Sequence, residues 1–107
     1  MATDWSIYRG EHFKPYVGDE FHIEGVNGSL PLTLVEVTIQ DAPILPNGLR
    51  PPFSLLFRCQ IPVNIREHEL FNIRHAKLGL LENIFIGPIM MPNPKWGEGM
   101  YWAATFT

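Results

Sequence analysis

The chain has a single cysteine, Cys59, so no internal disulfide can form, and the cross-linked scaffold of many small secreted domains is excluded. It also lacks a basic stripe. Lys and Arg stand singly at positions 9, 14, 50, 58, 66, 74, 77 and 95 within a formal net charge of -3, so the electrostatic footprint of a nucleic-acid binder is missing. No apolar run approaches the roughly 20 residues of a membrane-spanning helix. The opening stretch, MATDWSIYRGEHFKPY, has no apolar h-region. The expectation is a protein without signal peptide, nucleic-acid partner or membrane anchor, placed in the cytoplasm or in an assembled particle. A sustained 3.6-residue apolar period is absent too, which argues against a helical fold.

What the chain has is dense punctuation. Its 107 residues contain ten prolines and nine glycines, clustered in GVNGS (25–29), DAPILPNGLRPP (41–52), GP (87–88) and MPNPKWGEG (91–99). Short apolar runs lie between them. DEFHIEG (19–25), LTLVEVTIQ (32–40), FSLLFRCQ (53–60), ELFNIRHA (69–76), NIFIGPIMM (83–91) and MYWAATFT (100–107) each read as a strand. The expected fold is one all-β domain over 1–107, a small barrel or sandwich of about six mostly antiparallel strands, with 1–12 a less ordered segment. Within the second run, Thr33, Val35, Val37 and Ile39 form the expected core face, because β-branched residues fit a pleated surface, with Leu34 as a complication. Asn27-Gly28 is the turn signal before that run. Pro88 predicts a bulge or strand end.

Candidate chemistry is sparse. Cys59 continues the face of Phe53, Leu55 and Phe57, while Arg58 points the other way; an apolar core thiol is the expectation, not a nucleophile. HELFN from His68 fails the HExxH zinc pattern, since position 72 is Asn. His12, His22 and Glu24 could form a metal site, but nothing fixes their geometry, and no metal or other cofactor is expected. Ser29 and Ser54 lack the setting of a nucleophile elbow. Asn27-Gly28-Ser29 matches a glycosylation acceptor, which a chain without a signal peptide would not present to the enzyme. The imidazole of His75, just before Leu78-Gly79, is expected to donate to a carbonyl of the neighbouring strand. Its rival role is acid–base catalysis with Glu36 or Glu69. Trp96, Tyr101 and Trp102 are candidate contact residues, as is His75. Trp96, Tyr101 and Met90 could line a barrel mouth.

Phe13, Gly18 and Phe21, followed by LTLVEV, FSLLFR, HAKLG, IFIGPI and YWAATF, together resemble a small bacterial family of unknown function. The resemblance runs from Phe13 to Phe106 and covers nearly the whole chain. It departs from the family pattern at Glu69-Leu70-Phe71, where an aromatic after a glutamine is common. The resemblance implies genes near phage tail-collar-like or tail-fibre-like proteins and supplies no catalytic residues. The expected function is therefore a non-enzymatic structural or assembly protein that meets another protein or itself. The alternative is a small-ligand-binding β-barrel. An uncovered edge on the last strand would be one place for a protein contact.

Overall fold

In the computed structural model, residues 3–25, 28–40, 51–91 and 94–106 are described. Six strands, β1 (Glu20–Glu24), β2 (Ser29–Ile39), β3 (Phe53–Cys59), β4 (Glu69–His75), β5 (Gly79–Ile89) and β6 (Met100–Phe106), close into a barrel in the order β1-β2-β3-β6-β5-β4. Every pairing is antiparallel. The barrel is thus the correct one of the two expected architectures, and β6 is flanked on both sides, by β3 and β5. Among the described residues no helix is long and apolar enough to cross a membrane.

β3 realises its alternation fully: Phe53, Leu55, Phe57 and Cys59 are buried, and the residues between them are not. β2 does not follow the expected face. Leu30, Leu32 and Leu34 are the buried residues, and the register with β3 then shifts between Leu34 and Glu36. One extra residue in a strand reverses which side its later residues face. Val37 and Ile39 therefore reach the core beyond the shift, and Thr33 and Val35 do not join the buried set. A second shift, between Phe71 and Ile73 of β4, matches two steps on β4 to three on β5. The extra residue falls at Asn83, which has φ 58° and donates its N–H to Asn72 Oδ1 at 3.1 Å. Asn tolerates the left-handed region because its short polar side chain bonds locally.

Both prolines inside strands stand where a neighbour is missing. Pro31 precedes the start of β2–β3 pairing at Thr33. Pro88 lies past the last β4–β5 pair, where β5 has turned to β6, so β5 runs on to Ile89 instead of ending at the proline. Their absent N–H groups remove no ladder bond on those sides. The β1–β2 turn signal sits at Asn27, outside the described residues; on either side of it Gly25 N–H donates to Gly28 O at 3.0 Å.

Residues 3–12, expected to be less ordered, are held by specific contacts. Three short 3-10 turns, Trp5–Ile7, Gly10–His12 and Lys14–Tyr16, cross one barrel end. Phe13 is fully buried on Phe53, and Trp5 stacks on Phe106 at 4.9 Å. The Trp5 indole donates to Glu82 O at 2.7 Å, and Thr3 Oγ1 accepts from Glu82 N at 2.6 Å. These two bonds satisfy the backbone of the β5 bulge, where the ladder with β4 is interrupted. The close approach explains Gly10: a Cβ there would lie 2.5 Å from Ile39 Cγ1.

Two outcomes test this packing. Gly10→Ala forces the second turn off Ile39 and Phe53, and should lower unfolding free energy by about 1–3 kcal/mol in chemical denaturation. Cys59 in the native protein should react with a water-soluble thiol reagent far more slowly than after denaturation. Rapid native labelling would contradict the inward face of β3.

Candidate functional site

His75 ends β4 and lies inside the barrel wall, 3% exposed. Its Nδ1 accepts two backbone N–H groups, from Lys77 and Leu78, each at 3.1 Å. An acceptor nitrogen carries no proton, so the proton sits on Nε2 and is donated to Asp19 Oδ2 at 2.9 Å. The bond goes to a carboxylate just ahead of β1, and not to a neighbouring-strand carbonyl as expected. The ring also stacks on Phe21 at 4.4 Å and meets Tyr16 at 4.7 Å. Both nitrogens are engaged, which leaves no free lone pair for a general base. Glu69 begins the same strand, about 20 Å away at strand rise. Glu36 is taken up by the Thr38 hydroxyl and Lys95. The structure brings neither carboxylate to His75.

The histidines and the acid considered for a metal each have another partner. His12 Nδ1 accepts from Arg9 N, His22 pairs with Glu20 at 2.7 Å, and Glu24 holds Arg74. Among the described residues no group of three or more His, Cys, Asp or Glu is placed to hold an ion.

The aromatic candidates separate. Trp102 is 0% exposed and faces inward beside Phe71, so it is a core residue and unavailable as a contact. Its Nε1–H has no partner among the described residues, a cost accepted for filling the interior. Tyr101 faces outward yet is buried, because the loop before β6 folds over it. That loop is tied by Tyr101 Oη donating to Gly97 O at 2.6 Å and by Arg58 Nε donating to Glu98 O at 2.8 Å. Trp96 packs back against Tyr101 with ring centroids 6.2 Å apart, and Lys95 Nζ lies 4.8 Å from its centroid.

Beside His75, a pocket of about 570 Å³ is lined by Glu20, His22, Arg74, Ala76 and Gly79 as well. Two apolar features are also open to solvent. The barrel end opposite the N-terminal turns carries a groove of about 710 Å³, walled by Cys59, Pro62, Ile89, Met90, Met100 and Tyr101 among others. Met90 and Tyr101 belong to it as expected, and Trp96 does not. Burial pushes the Cys59 thiol above its ordinary pKa range, opposed by its hydrogen bond to Ile61 O. The second feature lies on the outer wall, where Leu70 and Phe85 are cross-strand partners of β4 and β5. They are 63% and 56% exposed, with the His68 ring 5.5 Å from Phe85. Sequence reading missed this pair, because alternation shows which residues share a face but not which surfaces other chain segments cover.

His75→Ala removes the acceptor for two turn amides and the donor to Asp19. Unfolding free energy should fall by about 1–3 kcal/mol in a denaturant titration. An unchanged midpoint would contradict the hydrogen-bond assignment.

Neither a curated protein nor a solved structure matches the chain. Residues 8–106 match the family described as Domain of unknown function (DUF6916), which takes in all six strands and the two 3-10 turns nearest the barrel. The chain belongs to the DUF6916 family.

Proposed function

We propose that the protein is a non-enzymatic assembly module that contacts another protein through the outer wall of β4 and β5. The observation that carries this reading is the Leu70–Phe85 pair, two large apolar side chains side by side in solvent on a barrel whose core is already filled. The buried core is complete without this pair, and exposed apolar patches mark contact sites. Below Phe85 the patch continues past His68, which lies over Gly87 so closely that a Cβ there would meet its Cα at 2.5 Å, to Ile89. The setting in which such a module works is a tail-like or fibre-like particle, following the resemblance of the motifs. Self-association uses the same wall if the partner is a second copy. An edge contact through β6 is not part of this proposal, since β6 is paired on both sides.

The groove at the open barrel end favours a second reading, a small-ligand site, because its walls are apolar and its floor reaches the buried Cys59.

The outer-wall reading is tested with Leu70→Lys and Phe85→Glu, singly and together. Each should leave unfolding free energy within about 0.5 kcal/mol, as surface changes do. Affinity capture from the native cell should recover a tail-like or fibre-like component with the unaltered protein and lose it with the double variant. Sedimentation of both proteins reads the second-copy case. Unchanged capture and sedimentation in the double variant would overturn the proposed contact.

A further inference from the structure

Every methionine among the described residues, together with the chain's one cysteine, lines the groove at the open barrel end: Cys59, Met90, Met91 and Met100. Their arrangement follows from the sheet register. Cys59 on β3 is the cross-strand partner of Met100 on β6. On the other side of β6, Gly87 pairs with Ala103, Pro88 with Trp102 and Ile89 with Tyr101. Cys59 and Met100 thus form one rung, and Met90, the residue after the end of β5, extends it along the same groove. Residues on one rung share a face, and neighbouring strands lie about 4.8 Å apart.

We propose that this rung is a binding site for a soft monovalent metal ion, Cu(I), with Met100 and Met90 as the principal ligands and Met91 and Cys59 completing the set. The inference rests on the small-ligand reading of the groove and is independent of the outer-wall contact. Thioether and thiolate sulfur select Cu(I) over harder ions. The groove walls carry no His, Asp or Glu, the side chains that zinc, calcium or magnesium would take beside or instead of sulfur. Methionine has an unbranched side chain with three torsions, so thioethers rooted about 5 Å apart can converge on one ion. The rung is graded in exposure: Cys59 is buried, Met100 half-buried and Met90 is 93% exposed. An ion arriving from solvent meets Met90 first and is drawn towards Met100. Ile89, Pro62 and Tyr101 surround the rung with apolar surface, which limits competition from water. The thioethers bind as neutral ligands without losing a proton. Where Cys59 joins as thiolate, its proton passes to solvent and the Ile61 carbonyl loses its present donor.

An apolar docking surface would also use methionine, and Met→Leu separates the two roles by keeping shape and apolarity while removing sulfur. The experiment titrates the purified, reduced protein without oxygen into the Cu(I)–bicinchoninate complex, with ascorbate present, and follows the colour lost by the chelator. The unaltered protein should withdraw one equivalent. Met90→Leu, whose exposed side chain cannot disturb the fold, should weaken binding by about tenfold, and Met90→Leu with Met100→Leu by more. A melting temperature measured on each variant confirms that the barrel is intact. No withdrawal by the unaltered protein, or equal withdrawal by the double variant, would overturn the proposal. An apolar fluorescent probe bound equally by all three proteins would then leave the groove as a site for a different ligand.

Discussion

Closing this sheet on itself brings strands distant in sequence together twice, β3 against β6 along seven residue pairs and β1 against β4 along far fewer. Only His22–Arg74 and Ile23–Ile73 are paired across the β1–β4 seam. Such a short ladder is weak by itself, and a splayed seam would expose backbone groups and the core behind them. His75 supplies the missing hold. From β4 it reaches Asp19 at the entry to β1, stacks on Phe21 of β1, and takes two amides of the turn that leads to β5. One neutral imidazole thus joins the seam, the turn and the aromatic core. The next shortest ladder, between β5 and β6, has three residue pairs, and beyond its end Trp5 and Thr3 bond to Glu82 of β5 while Trp5 stacks on Phe106 of β6.

The same constraint gives meaning to the residues that carry the family resemblance. In HAKLG, His75 takes the Leu78 amide, and Gly79 supplies φ 76° across from His75. Phe13 covers Phe53, and Phe21 lies between Phe57 and His75. Gly18, at φ 96°, donates its N–H to Leu34 O at 2.7 Å, and Leu34 N donates to Asp19 O at 3.1 Å. That pair of bonds sits beside the bulge of β2 and positions the Asp19 carboxylate for His75. The glycines, aromatic residues and histidine of the signature are accounted for by barrel closure. Closure leaves uncovered the mouth at the Cys59 end of β3 and the wall of β4 and β5, among other surfaces.

Strand order along the chain, the all-β class, the inward face of β3 and the core position of Cys59 were legible in the sequence, because strict alternation and turn residues depend on local chemistry. The faces of β2 and of late β5 were not. Each contains an extra residue whose effect on facing is seen only against a partner strand, so Val35 and Asn83 look like ordinary members of their runs. Trp102 and Tyr101 show the same limit. Aromatic character at a chain end reads equally as contact surface or core, and only the loop tied down by Arg58 settles Tyr101. The sulfur-lined groove was invisible for the same reason: register pairs Cys59 with Met100, and Met90 joins them at the end of β5. Asp19 carried no signal at all, since its partner lies 56 positions away.

The protonation state of the His75 ring tests the closure account most directly. A long-range proton–nitrogen NMR spectrum of labelled protein near neutral pH distinguishes the two neutral tautomers. Closure through Asp19 and the turn amides predicts a single Nε2–H form for His75, with Nδ1 in the unprotonated range and no exchange averaging. A proton on Nδ1, or a ring averaging between tautomers as an exposed histidine does, would contradict it.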